Sequence, residues 1–258
     1  MNVKTSVQRF VFACCTTALI ASSGNASVIY DNQQGVNGWN NDTNVATISG
    51  YTVNESLDNR VLVVVAMYEG NVLGNVTFDG TPMTKEIADA HNGAGAAIFY
   101  TVNPTGTGDI TGTWGGNSRR QLRAFTLSGI DTTDPIQVKQ KVVTSNVSPL
   151  EAISLTTTGP SYIVDATSMN NNADPFTIDG ADRDVRVADG NNPGGWRFGF
   201  ATLDSGAANT FDLGWTSYDD RGTSVALAFN VVQVPEPATI LILAIGAAAL
   251  LVLRWKRG

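Results

Sequence analysis

The stretch R-V-L-V-V-V-A-M-Y, residues 60–68, decides the fold of this chain. After its leading arginine it is a near-continuous apolar run of strand length. Such a run is typical of a β-strand with both faces buried, because a strand with one wet face alternates apolar and polar side chains. We therefore expect a β-rich body built around this segment.

Strand signals continue on both sides of this run. Residues 75–78 precede Asp79-Gly80, a strong signal for a two-residue hairpin turn, and residues 82–87 form the predicted return strand. The sequence shows no convincing amphipathic helix in this region. Further predicted strands, separated by clusters of Gly, Asn, Asp and Pro, cover residues 45–53, 96–102, 108–114, 121–127, 138–143, 152–157, 162–168, 183–188, 196–203, 210–215 and 224–232.

About a dozen or more short strands predict an all-β fold, an antiparallel two-sheet sandwich of jelly-roll type. Two smaller sandwiches divided near residues 131–135 are the alternative, although the sequence shows no repeat that supports this division. The order of strand and turn signals in residues 60–136 also resembles a recurrent bacterial extracellular β-sandwich module. That resemblance implies the fold, and it does not indicate an activity.

The N-terminus has the features of a secretory signal peptide. Lys4 and Arg9 precede an apolar run at residues 10–20, and small residues at 21–26 predict cleavage after Ala26. An uncleaved anchor and a lipoprotein modified at Cys14 are the alternatives. Both cysteines lie inside this segment, so the exported chain has no thiol for a disulfide or a zinc–thiolate site.

The C-terminus combines three features in order. Pro235-Glu236-Pro237 comes first, residues 238–253 carry no charge, and a basic end follows, made of Arg254, Lys256 and Arg257. A helix of this length covers about 24 Å, which is short against a hydrocarbon core of about 30 Å but workable in a thin bilayer or with snorkelling cations. The positive-inside rule places the basic end in the cytoplasm and the bulk of the chain outside. A buried core helix and a plain C-terminal anchor are the alternatives.

These three features together resemble the PEP-CTERM sorting signal of Gram-negative bacteria. The resemblance implies that exosortase, a membrane-embedded cysteine transpeptidase, recognises Pro235, Glu236 and Pro237 and processes the tail, so that the helix is a temporary anchor. We accordingly expect a signal peptide at residues 1–26, an exported β-sandwich at 27–234 and a sorting tail at 235–258.

Charge and composition exclude several partners and chemistries. Residues 27–234 contain 11 Lys and Arg against 22 Asp and Glu, a net charge of −11, which disfavours nucleic acid and anionic lipid. His91 is the single histidine, so a two-histidine metal site is ruled out, and no G-x-S-x-G motif is present. Glycoside hydrolysis needs two carboxylates beside one bond, and Glu55 with Asp58 is a weak candidate pair. We therefore expect no enzyme and no cofactor.

Two groups of residues are candidate ligand contacts. Trp39 and Trp196 lie near predicted loops and are candidates for stacking on a sugar, with core packing as the alternative. Asp179, Asp182 and Asp184 are weak candidates for Ca²⁺, with solvated turn carboxylates as the alternative. Our leading expectation is a structural or adhesive protein of the cell envelope or extracellular polysaccharide matrix. A carbohydrate-binding module, with or without Ca²⁺, is the competing expectation.

Overall fold

A computed structural model describes residues 23–25, 27–38, 44–70, 73–91, 93–116, 119–145, 152–170, 177–189, 196–216 and 221–235. Every regular element in these ranges is a β-strand, and every pairing between strands is antiparallel. The strands are β1 (Ser23–Asn25), β2 (Ile29–Gly38), β3 (Val45–Thr52), β4 (Val61–Glu69), β5 (Leu73–Phe78), β6 (Thr81–Pro82), β7 (Thr84–His91), β8 (Ala94–Val102), β9 (Thr107–Trp114), β10 (Arg120–Ser128), β11 (Ile136–Ser145), β12 (Ile153–Thr156), β13 (Ser161–Asn170), β14 (Thr177–Gly180), β15 (Asp184–Asp189), β16 (Trp196–Ser205), β17 (Thr210–Thr216), β18 (Arg221–Asn230) and β19 (Gln233–Pro235).

Strands β2–β10 form a sandwich that we call the N-terminal roll. Its larger sheet has the order β2-β10-β4-β8-β7, and its smaller sheet has the order β3-β9-β5-β6. The first strand therefore pairs with the last, and the chain crosses repeatedly between the two sheets, as in a jelly roll, with hairpins β5–β6 and β7–β8 each staying within one sheet. The core between the sheets is apolar and includes Leu62, Phe99 and Trp114.

Strands β11–β18 form a second sandwich, the C-terminal roll, with the same topology. Its larger sheet has the order β11-β18-β13-β16-β15, and its smaller sheet has the order β12-β17-β14. The five strands of the two larger sheets correspond in order, so that β2, β10, β4, β8 and β7 match β11, β18, β13, β16 and β15. The predicted all-β, jelly-roll-like sandwich is confirmed. Its sheets follow the layout of the alternative, two smaller sandwiches that meet near residues 131–135.

The two larger sheets face each other inside one compact unit, Ser27–Val232. Phe125 on β10 stacks on Phe200 on β16 across this interface, with ring centroids 5.7 Å apart and planes 2° apart. The Ser168 hydroxyl on β13 donates to the Tyr68 carbonyl on β4 at 3.0 Å. Each larger sheet thus has a smaller sheet on one face and the other roll on the opposite face, which gives four stacked sheets.

This stacking explains the apolar run at residues 61–68. Side chains alternate between the faces of a strand, so Leu62 and Val64 enter the core of the N-terminal roll while Val63 and Val65 point toward the C-terminal roll. All eight residues from 61 to 68 are buried. The predicted strand with two buried faces is therefore confirmed.

The hairpin prediction is also confirmed, with one refinement. Asp79 and Gly80 have φ angles of 47° and 73°, the positive values that a type I′ turn requires. The return strand then divides. Thr81–Pro82 pairs with β5 in the smaller sheet, and Thr84–His91 crosses to pair with β8 in the larger one. The chain changes sheets here, as strands at sandwich corners do.

Two strands of the body were missing from the sequence prediction. β2 (I-Y-D-N-Q-Q-G-V-N-G) is rich in Asn, Gln and Gly and precedes the first predicted strand at residues 45–53. It is an edge strand that pairs with β10 alone, and the register shifts along that pairing. β14 is a short edge strand of four residues. An edge strand has one paired side, so its sequence carries a weaker pattern.

Candidate functional site

The end of the chain that carries the proline motif begins as a strand. β19 (Gln233–Pro235) pairs antiparallel with β1, placing Pro235 opposite Ser23. Glu236 and Pro237, the predicted helix at 238–253, the basic residues Arg254, Lys256 and Arg257, and the apolar core of the predicted signal peptide lie outside the described residues. In the part of the chain that the structure describes, no helix is long and apolar enough to span a bilayer.

Trp196, one of the two candidate sugar contacts, is 5% exposed. It opens β16, and its ring lies 3.4 Å from the position that a Cβ would take on Gly93, in the turn between β7 and β8 of the other roll. The indole therefore packs between the rolls and offers little surface for stacking on a sugar. Trp39, the other candidate, lies outside the described residues.

The three candidate calcium ligands lie along the edge of the C-terminal roll. Asp179 belongs to β14, and Asp182 is exposed in the connection that follows. Asp184 opens β15 and pairs with Arg186 at 3.1 Å. The described residues contain no group of three or more His, Cys, Asp or Glu side chains that could hold a metal ion.

Arg183 lies among these aspartates but points into the core of the C-terminal roll. Its guanidinium contacts the Asp165 carboxylate on β13 at 2.7 Å, and both side chains are buried. The Trp215 indole N–H donates to the same carboxylate oxygen at 2.7 Å, and the guanidinium also donates to the Gly214 carbonyl. Burial raises the pKa of Asp165, while Arg183 and the indole oppose that rise. A lone Asp within the apolar strand S-Y-I-V-D-A-T was the available sequence signal for this cluster.

Three glutamates of the body, among them Glu55 of the weak candidate pair, make structural contacts. Glu55 accepts a hydrogen bond from the Gly106 N–H at 2.7 Å, and Glu69 pairs with Arg119 at 2.8 Å. Glu86 pairs with Lys139 at 2.7 Å. These carboxylates hold a loop, a strand end and the seam between the rolls.

The seam between edge strands β7 and β11 is closed by charged side chains. Lys139 pairs with Glu86 and Lys141 pairs with Asp89, each at 2.7 Å. The Thr223 hydroxyl donates to the second Asp89 oxygen at 3.0 Å. The lysines are about half exposed, with 52% of the side chain accessible. Together these pairs fix the relative position of the two rolls at this edge.

A groove of about 270 Å³ lies at one end of the N-terminal roll, between the β5–β6 hairpin and the β8–β9 loop. Its rim carries a carboxylate, an amide and three hydroxyls, and its walls include two prolines. The lining residues are Phe78, Asp79, Thr81, Pro82, Met83, Thr101, Val102, Asn103, Pro104 and Thr105. The hairpin signal located one wall in the sequence, whereas the opposite wall comes from a distant segment that the fold brings close.

The comparison with known families decides the role of the C-terminal segment. Residues 233–257 match the PEP-CTERM protein-sorting motif. The PEP-CTERM motif marks an exported protein that an exosortase-type enzyme recognises during sorting at the membrane, so the resemblance noted for the tail is confirmed. The match does not extend to the rolls, and the module resemblance of residues 60–136 gains no support from it. No curated protein and no solved structure matches the chain.

Proposed function

We propose that this chain is a non-enzymatic exported protein with a structural or adhesive role in the cell envelope or the extracellular polysaccharide matrix. The observation that carries the proposal is the PEP-CTERM motif at residues 233–257, following a compact body at Ser27–Val232. Glu55, Glu69 and Glu86 each contact another group of the body, and the absence of catalysis is itself part of the proposal.

The same proposal covers the route of the protein to its destination. A signal peptide cleaved after Ala26 exports the chain, and the apolar helix at 238–253 holds it in the membrane with the rolls outside. The basic end at Arg254, Lys256 and Arg257 stays in the cytoplasm under the positive-inside rule. The sorting enzyme then reads Pro235, Glu236 and Pro237 and processes the tail.

Intact mass of the protein recovered from membrane and medium fractions tests this route. The wild type is compared with a variant in which Pro235, Glu236 and Pro237 are all alanine. Asp182→Asn, an exposed carboxylate of the C-terminal roll outside the matched residues 233–257, is the control. We expect a released form that ends near Val234 in the wild type and the control, and none in the motif variant. A full-length membrane form in all three would refute processing.

Carbohydrate binding is the second candidate function, and a specific observation favours it. The groove of the N-terminal roll presents polar side chains at an accessible end of the sandwich, whereas the indole of Trp196 is buried. Ca²⁺ assistance through Asp179, Asp182 or Asp184 remains a prediction, tested by repeating any glycan titration with Ca²⁺ and with a chelator.

A further inference from the structure

We infer that the groove between the β5–β6 hairpin and the β8–β9 loop binds a neutral saccharide, with Asp79 and Asn103 as its main hydrogen-bonding residues. This inference rests on the second candidate function and is independent of the structural role. It replaces tryptophan stacking with a site built from short polar side chains.

The polar side chains that line the groove are available to form hydrogen bonds with a ligand. Within the described residues, no hydrogen bond or ion pair engages the side chains of Asp79, Thr81, Thr101, Asn103 or Thr105. The charged side chains at the β7–β11 seam, in contrast, are paired with one another. A polar rim without internal partners is available to a ligand, since each hydroxyl, amide and carboxylate keeps its full hydrogen-bonding capacity.

The backbone holds Asp79 and Asn103, the two main residues of the groove, in fixed positions. Asp79 and Asn103 both have left-handed φ angles, 47° and 48°. The Asp79 N–H donates to the Asp109 carbonyl at 2.9 Å, and the Asn103 N–H donates to the Arg60 carbonyl at 2.8 Å. Left-handed non-glycine residues persist where the surrounding structure determines them. Both walls of the groove are therefore preorganised, which lowers the entropic cost of binding.

Gly108 tightens the same wall. A Cβ on this residue would lie 2.5 Å from the Asp79 Cβ, so the β9 backbone approaches the turn more closely than any side chain would permit. The approach sets Asp79 at the lip of the groove.

The chemistry of the lining side chains indicates the class of ligand. A carboxylate accepts hydrogen bonds from the hydroxyls of a sugar, an amide both accepts and donates them, and charge-assisted bonds are the strong ones. Pro82 and Val102, the latter 37% exposed, provide apolar surface for the C–H face of a ring. A uronate or phosphate polymer is disfavoured, because Asp79 lies on a body with a net charge of −11.

The corresponding end of the C-terminal roll is organised differently. There the Ser205 hydroxyl donates to the Ala207 carbonyl at 2.7 Å, and the Asn209 side chain accepts from the Thr210 N–H at 2.8 Å. The polar side chains of this loop are hydrogen-bonded to neighbouring backbone groups. The open rim is thus a feature of the N-terminal roll and not a general consequence of this topology.

The test is binding of the full-length protein, purified in a non-glycosidic detergent, to an array of neutral and uronate-containing oligosaccharides. The strongest neutral ligand is then titrated against variants. Asp79→Asn keeps the left-handed turn but removes the charge, and Asn103→Gly keeps the backbone conformation but removes the amide. We expect each to weaken binding about tenfold or more, because Asp79→Asn removes the charge that strengthens its hydrogen bond and Asn103→Gly removes the bonding amide altogether. Asp182→Asn, an exposed carboxylate of the other roll, is the matched control and should bind as the wild type does.

Other outcomes distinguish failure of the groove as the binding site from failure of carbohydrate binding as a function. Neutral-glycan binding that survives Asp79→Asn and Asn103→Gly but disappears in Trp39→Ala would keep the carbohydrate-binding candidate and overturn the groove. Selective binding of uronates would overturn the predicted ligand class. Absence of binding to every oligosaccharide would overturn both the groove and the carbohydrate-binding candidate, and would leave the structural role standing. Unchanged thermal midpoints in all variants show that the fold is intact.

Discussion

Exchanging the buried Asp165–Arg183 pair for apolar side chains is the sharpest test of how the C-terminal roll is stabilised. Arg183→Met leaves a carboxylate with the Trp215 indole as its remaining partner, and Asp165→Val leaves a buried guanidinium. Breaking a buried pair by removing one partner costs about 3–5 kcal/mol, because the other charge stays desolvated. We expect each single variant to lose this amount.

The double variant Asp165→Val/Arg183→Met should behave differently. Replacing a buried ion pair by apolar groups of similar size is often neutral or stabilising by about 1–4 kcal/mol, because both desolvation costs disappear. The N-terminal roll shows that the topology tolerates this exchange. On β4, the strand that corresponds to β13, the core-facing side chains include Leu62 and Val64 and none is charged. We therefore expect the double variant to recover most or all of the loss.

Guanidinium denaturation and calorimetry of the full-length protein measure both effects. At about 2–4 °C per kcal/mol for a body of this size, each single variant should melt about 10 °C lower. The m-value should stay constant, because the surface exposed on unfolding hardly changes. The reasoning is refuted if the double variant is as unstable as the singles, since the pair would then contribute net stability. Single losses below about 1 kcal/mol would also refute it, because they would mean that the charges are solvated.

Three further predictions concern the rest of the body. Burial raises the pKa of Tyr51 and of Tyr68 to about 12 from an ordinary 10.0, so stability present below pH 10 should fall as the pH rises through 12, by about 3 kcal/mol per tyrosine. Phenolate absorbance in the folded protein at ordinary tyrosine pH that is lost in Tyr51→Phe or Tyr68→Phe would contradict this. Phe200→Ala should cost about 3–5 kcal/mol through loss of the stacked interface between the rolls, whereas Val185→Ala, at a side chain 45% exposed, should be nearly neutral in the same denaturation assay. Gly80→Ala meets no neighbouring atom within 4 Å, so its expected cost of about 1–2 kcal/mol comes from the positive φ alone, and a melt unchanged from wild type would contradict the type I′ turn.

Most strands of the body were predictable because their sequences carry local patterns. The apolar run at residues 61–68, the Asp79-Gly80 turn and the alternation along β9 each depend on neighbours within a few residues. The split of the return strand at Met83 was not predictable, because it depends on which sheet offers an open edge. The contact between Trp196 and the Gly93 turn likewise joins the two rolls, and the sequence around neither residue indicates it.

The tail was predictable for a different reason. Its three features follow one another within 24 residues, so a linear motif carries the information. The groove is the opposite case. Asp79 and Asn103 lie on separate loops of the N-terminal roll, and neither Asp79-Gly80 nor Asn103-Pro104 identifies a binding site by itself. A site assembled by sheet topology needs the fold before its members can be recognised.

The two rolls share one topology although the sequence shows no repeat. Equivalent contacts are kept by few residues: the hydroxyls of Thr52 and Thr107 lie 2.9 Å apart in the N-terminal roll, and those of Thr156 and Thr210 lie 2.9 Å apart in the C-terminal roll. Beside each pair a backbone bond closes the same corner, from the N–H after the first threonine to the carbonyl before the second. Most other positions need only be apolar on the buried faces, and that requirement leaves their identities free.

The same strand topology occurs in both rolls. A feature that only one roll has is therefore not required by that topology. A jelly roll of this order folds around an uncharged core in one copy and around Asp165 and Arg183 in the other. It also ends in a loop with internally paired polar groups in one copy and in the open rim of Asp79 and Asn103 in the other. Stability alone does not require the free rim, since the C-terminal roll satisfies its own loop. The open rim is therefore not required by the topology, and it is the place to test for a ligand first.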